Sequence, residues 1–362
     1  MFIKSLELFS YRNIEHAKIE FSDGMNIFYG KNAQGKTNAL EAMFLCSATK
    51  SFRKANENDL ISFSKNEAKI ISDFNDGKND CELEINFKRK EKRTVNLDGM
   101  PCERVSDYIG RFTTVLFTPD HLSLVKSAPE ERRKFLDLAL CEANPVILAS
   151  YRNYAQLISQ KTAVLSMAKQ GKSVDRVMLE IYNEKLAEEC ERISNARNLL
   201  CNKLSEFASE YYKEMTFERE KLEFRYSDSV DGEYTKEKYL KLLNEGIENE
   251  ISAGFACYGV HRDDIKIKIN SKNIREYASQ GQQRSAVLSM KLAEGDFLSE
   301  IKGSMPVFLF DDILSELDRE RREYITEKIK GKQVILTSCN EEYFENDVKT
   351  KYFTENGNFT KI

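Results

Sequence analysis

Three histidines in 362 residues are too few for a multi-histidine metal centre. Eight cysteines are scattered from Cys46 to Cys339 without a C-x-x-C pair. That spacing argues against a disulfide framework or a zinc site and fits a reducing cytoplasm. No apolar run approaches the length of a membrane span. The first residues, Met-Phe-Ile-Lys-Ser-Leu-Glu-Leu, alternate like a strand and lack the charged-then-apolar layout of a signal peptide. Neither sign of charge dominates: 55 Lys and Arg against 59 Asp and Glu give a net −4. This excludes a constitutively sticky polycation. It leaves nucleic-acid binding open, because the distribution of charge matters more than its sum. Internal repeats and low-complexity tracts are also missing. What remains is a soluble globular composition, 41% apolar and 31% charged, with length enough for two domains.

Against this plain background one segment stands out: Gly30-Lys31-Asn32-Ala33-Gln34-Gly35-Lys36-Thr37-Asn38. It contains G-x-x-x-x-G-K-T, a phosphate-binding loop. Met25–Tyr29 before it reads as a strand and Ala39–Leu45 after it as a helix, the context this motif requires. Backbone N–H groups and the helix N-terminus then wrap a triphosphate. Lys36 is expected on the outer phosphates and Thr37 on Mg²⁺, so ATP and Mg²⁺ are the expected cofactors.

Residues 1–29 read as three strands, and 66–98 as a β-meander with strands near Ala68–Phe74, Cys81–Phe87 and Arg93–Leu97. Thr113–Phe117 is a short buried strand. From Pro129 the pattern turns helical up to about residue 215. Leu186, Ile193, Leu200 and Phe207 recur at heptad spacing, with Cys190, Leu204 and Tyr211 in a second seam that Arg197 interrupts. A helical hairpin packed on itself is preferred to an intermolecular coiled coil. Strands are expected at Lys221–Tyr226, Asp264–Ile269, Met305–Phe310 and Gln333–Thr337, and a closing hairpin over 352–362. The expected architecture is an α/β nucleotide-binding head with a mixed sheet, made of residues 1–129 and 256–362. Residues 130–255 form an inserted helical arm.

The apolar strand of 306–310 runs into Asp311-Asp312, a Walker B pattern spanning 306–312. An acid at the carboxyl end of a sheet strand lies where the nucleotide does. Asp311 is expected on Mg²⁺ and Asp312 as general base. Ser279-Gln280-Gly281-Gln282-Gln283-Arg284 precedes the helical run Ser285–Ser299 and offers a second anion site through Ser279, Gly281, Gln282 and the helix start; a simple cap and turn is the bland alternative. Ser315-Glu316-Leu317-Asp318 follows the acids. Thr337-Ser338 ends the next apolar strand, where a polar side chain can meet the γ-phosphate.

This order of motifs resembles the ABC-type ATPases, in which one subunit supplies the phosphate loop and another the signature helix. The signature Ala278-Ser279-Gln280-Gly281-Gln282 is closer to the DNA-repair and chromosome-maintenance branch than to transporters. Within that branch the chain resembles the RecF family of bacterial recombinational repair. The resemblance is carried by Tyr11-Arg12-Asn13, Gly35 to Ala42, Lys50-Ser51-Phe52-Arg53, Pro129 to Asp137, Gly259 to Asp264, Ser279 to Arg284 and Asp311 to Asp318, in order along nearly the whole chain. It implies an ATP-dependent homodimer on gapped or single-strand/double-strand junction DNA, and co-operation with RecR and RecO in loading RecA. It also implies slow ATP turnover acting as a timer, and a nucleotide contact from Arg12. An insertion of roughly 120 residues is too short for the long coiled coils of the chromosome-maintenance relatives. Val260 stands where the family usually has proline, and Thr118-Pro119-Asp120-His121 occupies the segment of the glutamine loop without a glutamine.

Candidate DNA contacts are Lys50, Arg53 and Lys54, and the hairpin-tip cluster Lys88, Arg89, Lys90, Lys92 and Arg93, which reads equally as a solvated turn. Arg132 and Arg133 either meet phosphates or pair with acids of their own helix. No aromatic stacking platform is visible in the sequence, so phosphate-dominated, sequence-tolerant duplex binding is expected. Two other classes compete. A transport-type ABC subunit would need a membrane partner, and none is expected here. A phosphate-loop small-molecule kinase would need neither the 279–284 signature nor Ser315–Asp318.

Overall fold

A computed structural model describes residues 1–171, 173, 175–339 and 348–362. The side chains of Ser315 and Glu316, part of the expected Ser-x-Leu-Asp motif, lie outside the described residues. The chain is mixed α/β and divides into two compact units, Met1–Leu122 with Met290–Ile362, and Ser123–Ser289. The second unit contains the expected arm, 130–255, together with the strands Asp264–Ile269 and Lys272–Asn273 and the start of the signature helix.

The first unit holds two six-stranded sheets. One is antiparallel, in the order Ile14–Glu20, Phe2–Tyr11, Glu67–Asn75, Asp80–Lys88, Thr94–Leu97, Met100–Pro101. In the strand Phe2–Tyr11 a register shift between Ile3 and Ser5 resets the alternation, so Ile3 and Leu6 both reach the core. The other sheet runs Asn358–Lys361, Val348–Glu355, Met25–Tyr29, Val334–Ser338, Val307–Asp311, Thr114–Phe117. It is parallel except for the terminal hairpin. Two of its inner strands read as unbroken apolar runs because both faces are covered, and Val307–Phe310 and Val334–Leu336 are buried throughout. The helix Lys36–Ala48 contacts both sheets and is buried on nearly every side. Gln333 stitches the sheets together: its Nε2 donates to the carbonyls of Ile3 (2.8 Å) and Ser22 (2.7 Å), and its Oε1 accepts from Ile3 N.

The second unit is built on the helices Pro129–Ala143, Pro145–Lys169 and Arg176–Met215. Proline opens the first two at N1, where its missing N–H costs nothing, and Asn144 caps the second through Val146 N. The third helix, 40 residues long, packs against Pro145–Lys169, Lys236–Glu245 and the strand Leu222–Ser227. Its seam is therefore intramolecular. It also drifts: Leu186, Ile193 and Leu200 are buried as the heptad predicts, but the last two turns bury Ala208 and Tyr212 while Phe207 and Tyr211 are only half-buried. A straight helix at 3.6 residues per turn slides off a 3.5-residue repeat within a few heptads. The strands Leu222–Ser227, Asp264–Ile269 and Lys272–Asn273 form an antiparallel sheet. The signature helix is longer than Ser285–Ser299, running Gln280–Lys302. Among the described residues no helix is long and apolar enough to cross a membrane.

Candidate functional site

The phosphate loop leaves the buried strand Met25–Tyr29 and enters its helix at Lys36. The turn demands left-handed backbone at Gly30 (φ 144°), Ala33 (φ 63°) and Gly35 (φ 118°). A Cβ on Gly30 would collide with the Thr354 carbonyl, so only glycine fits there. The loop is held from the terminal hairpin: Gly357 N donates to Gln34 O (2.8 Å) and Asn356 N to Gln34 Oε1 (2.7 Å). Cys339 Sγ lies 2.8 Å from Asn32 Oδ1. Asn38 Nδ2 donates to Asn13 Oδ1 (2.7 Å) and Arg53 to Asn38 Oδ1 (2.9 Å). Lys36 is 6% exposed, and its ammonium donates to the carbonyls of Gly30 and Lys31. Among the described residues no carboxylate faces it. A buried cation answered only by carbonyl dipoles, inside a ring of loop amides, suits a polyanion.

Parallel pairing of Val307–Asp311 with Val334–Ser338 sets Asp311 opposite Thr337. Asp311 Oδ1 accepts from the hydroxyls of Thr37 (2.8 Å) and Thr337 (2.9 Å). Asp312 adopts left-handed backbone (φ 51°), which ends the strand, and its N–H donates to Thr337 Oγ1 (3.0 Å). Thr337 is thus a brace for both acids: its hydroxyl proton is given to Asp311 and its lone pair taken by Asp312. Burial raises the Asp311 carboxyl pKa, with Asp312 adding to the effect, while the two hydroxyl bonds and Arg53 oppose it. Thr37 and Asp311 together present hard oxygen donors of the kind Mg²⁺ takes. The residues present therefore fit both a triphosphate and its metal.

Arg12 has its guanidinium engaged elsewhere. It forms a two-pronged pair with buried Glu41 (2.9 and 2.7 Å) and donates to Asp59 O. Glu41 also accepts from Ser51. Arg12 thereby ties the first strand to the phosphate-loop helix. At the signature, Ser279 Oγ accepts from Gln282 N while Gln282 Oε1 accepts from Ser279 N (2.8 Å), a reciprocal cap. Gln282 Nε2 also donates to Glu220 (2.6 Å). Ser279 itself is exposed, and Gly281 lies in the first turn.

The two basic clusters of the first unit meet. Arg93 donates to Thr49 O and pairs with Glu57 (3.5 Å); Arg89 donates to Lys65 O (3.0 Å) and Ser62 O (3.3 Å). Arg93 therefore braces the hairpin against the residues that flank Lys50, Arg53 and Lys54, and Arg89 braces it against the turn 62–65. Lys50, Lys54, Lys88, Lys90 and Lys92 remain exposed. Arg132 and Arg133 follow neither sequence reading. Arg132 clamps Asp264 (2.7 and 2.9 Å), and Arg133 donates to Asp263 O. Lys134 makes the same-helix pair instead, with Glu130.

The motif around His261 has a role that sequence reasoning missed. His261 Nδ1 lies 2.6 Å from the Tyr154 hydroxyl and Nε2 3.2 Å from Ala256 O, an arrangement for neutral imidazole. Burial pushes its pKa down to about 4. Asp263 accepts from Tyr226 OH, and burial pushes its pKa up to about 6. Arg197, the interruption in the heptad, donates to both oxygens of Asp137 (2.8 and 2.9 Å) and to Val260 O (2.7 Å), with Asp263 at 3.6 Å. The motif is a buried clasp between the long helix and the sheet of its own unit. An arginine at a heptad core position was the one available signal.

Comparison with known proteins agrees with this geometry. Residues 2–360 match the RecF/RecN/SMC N terminal domain. A DNA replication and repair protein RecF from Ruminiclostridium cellulolyticum is 36% identical over all of this chain and 98% of its own length. One from Clostridium perfringens is 34% identical over 100% and 98%. Among solved structures, the recombination mediator protein RecF-ATPrS superposes with a TM-score of 0.93 at 32% identity, covering 99% of this chain and 98% of that one. An Smc head from Pyrococcus furiosus, at TM-score 0.57 and 17% identity over 99% and 95%, shares the fold alone. With a family match over nearly the whole chain and a nucleotide loop, Walker B pair and signature helix in the family's order, this chain belongs to the RecF family.

Proposed function

We propose that this chain is an ATP-switched DNA-binding ATPase of cytoplasmic recombinational repair. In this reading it dimerises on ATP and binds gapped or junction DNA. It works with RecR and RecO to load RecA. The observation that carries the reading is the convergence of Thr37 and Thr337 on Asp311 beside the buried, uncompensated Lys36. Lys36 and the loop amides hold the phosphates. Thr37 and Asp311 would hold Mg²⁺, which when bound would neutralise phosphate charge. Asp312 orients and deprotonates the attacking water, and Thr337 fixes the Asp311 carboxylate and the Asp312 backbone relative to each other. Ser279 and the start of the Gln280–Lys302 helix serve the second subunit's nucleotide, so an isolated monomer holds ATP with half of the catalytic groups. Residues 130–255 act as the arm of the head formed by 1–129 and 256–362. Hydrolysis is slow, is stimulated by DNA, and times release. The exposed lysines around Lys50 and Lys90 supply salt-sensitive phosphate contacts, and pairing two such surfaces lets an acidic chain bind DNA only as the ATP dimer.

The test is light-scattering mass with ATP, with ADP and without nucleotide, each with and without gapped duplex. The wild-type chain is expected to double in mass with ATP alone among the nucleotides, and more so on DNA. Lys36→Arg should stay monomeric, and Ser279→Arg should bind ATP yet not turn it over. A monomer that hydrolyses ATP regardless of DNA would overturn the shared-site reading.

A further inference from the structure

Phe63 is the most exposed of the large hydrophobic residues among the described residues, with its whole side chain in solvent (101%). It occupies the second position of the turn Ser62–Lys65, closed by Lys65 N donating to Ser62 O (3.0 Å). This turn is clamped from three sides. Ser62 N donates to Ser10 O (2.8 Å), Ser62 Oγ to Arg12 O (2.7 Å), and the Arg89 guanidinium to the carbonyls of both Ser62 and Lys65. A ring on a slack loop would fold back onto apolar surface. Here the fixed backbone holds it out.

Its surroundings are cationic. Arg89 belongs to the hairpin whose tip carries exposed Lys88, Lys90 and Lys92. Of the nearby acids, Glu15 and Glu57 are paired with Lys65 (3.6 Å) and Arg93 (3.5 Å), while Asp59, Glu67 and Glu91 are exposed among a larger number of cations. A rigid, bare aromatic ring beside several exposed lysines and braced arginines is the pairing of parts that non-specific nucleic-acid sites use: cations for phosphates, a π-face for bases.

We propose that Phe63 is a base-stacking residue that takes the exposed face of an unpaired or terminal base where a duplex is interrupted. The inference rests on the DNA-binding reading above and deepens it. Inside a continuous duplex every base face is already stacked, so the ring finds a partner only at an end, a gap or a junction. The lysines then supply affinity for any DNA, and Phe63 supplies preference for interrupted DNA. Because every base has a π-face, this preference is independent of sequence.

The chain has no tryptophan, so Phe63→Trp introduces a single fluorescent reporter at the proposed contact. The full chain with ATP is titrated against a covalently closed circular duplex, which has no ends, and the same circle carrying a single-strand gap. Phe63→Ala is expected to weaken gapped-DNA binding about tenfold and leave closed-duplex binding unchanged. Phe63→Trp is expected to keep the preference and to lose emission on the gapped duplex. Melting curves of both variants should match wild type, since the ring packs against nothing. An unchanged gap preference in Phe63→Ala, with steady emission from Phe63→Trp, overturns the proposal and leaves the DNA-binding reading intact. Equal weakening on both duplexes overturns it as well. Normal DNA binding by Phe63→Ala with loss of RecR binding would assign the ring to a protein partner instead. A wild-type chain that binds neither DNA overturns this proposal and the reading beneath it.

Discussion

The phosphate loop of the first unit and the helical core of the second bury positive charge in opposite ways. In the first, the Lys36 ammonium is held inside the phosphate loop by carbonyl oxygens alone. In the second, Arg197 is bracketed by Asp137 and Asp263, Lys161 meets Glu250 with both side chains fully buried, and Arg132 is clamped by Asp264. Burying an ion is costly unless a counter-ion and hydrogen bonds offset it. A closed set of pairs is what a purely structural network needs. A buried cation left half-answered marks a place where the missing anion arrives from outside. The basic surface shows a milder form of the contrast: Arg89 is spent on carbonyls and Arg93 on a carbonyl and Glu57, while Lys50, Lys88, Lys90 and Lys92 are exposed.

Breaking the closed network should produce the largest effect on folding. Arg197→Met leaves Asp137 and Asp263 without their cation and should cost about 3–5 kcal/mol in urea unfolding. Lys36→Met, by contrast, removes an unpaired charge and should change stability by less than about 1 kcal/mol while lowering ATP turnover on the order of a hundredfold or more. If the two substitutions destabilise equally, the distinction between open and closed charge fails. Next in size, Asp311→Asn keeps acceptors for the Thr37 and Thr337 hydroxyls but loses the anionic oxygen. ATP binding should survive, and metal-dependent hydrolysis should fall on the order of a hundredfold, read by nucleotide binding and phosphate release in parallel.

The smallest effect is a pair of opposed pH dependences within the second unit. Asp263 has its folded pKa raised from 3.8 to about 6, so its contribution is fully present below 3.8 and is lost as pH rises through about 6. His261 is depressed from 6.5 to about 4, so its contribution is present above 6.5 and is lost as pH falls through about 4. Asp263→Asn should therefore make stability fall more steeply than in wild type as pH drops from 6.5 to 4. His261→Gln should shift the slope the other way. Unfolding midpoints at several pH values decide it, and slopes shifting in the same direction would sink the assignment.

How much of this was legible beforehand follows from which interactions are local. The strand Val307–Asp311 could be read because both faces are buried and its sequence is therefore unbroken apolar residues. The strand–loop–helix around Gly35 could be read because its glycines answer to backbone torsions. The antiparallel meander of 67–97 was visible in its alternation. The drift of the long helix from its heptad was not, since it depends on what packs along its length. Nor was the fate of the arginines. In the sequence Arg12 reads as a nucleotide contact, Arg89 and Arg93 as DNA contacts, Arg132 as a phosphate contact or a partner of its own helix's acids, and Arg197 as a break in the heptad; each is taken by a partner between 5 and 132 positions away. The bracing of Asp311 and Asp312 by Thr337 was not legible either, because only strand pairing sets it beside them.

Sequence alone settled the kind of chemistry. Glycines at fixed offsets, a lysine and threonine at a helix start, and two acids at a strand end are short-range patterns whose torsions and spacing admit few other uses. Tertiary structure alone decided which charges are open and which are closed. That depends on the distance between residues remote in the chain, and on burial, which makes a pair of charges strong and an unpaired one costly. It also decided that a phenylalanine unremarked in the sequence stands wholly in water beside exposed lysines, held there by three hydrogen-bonded anchors from other segments.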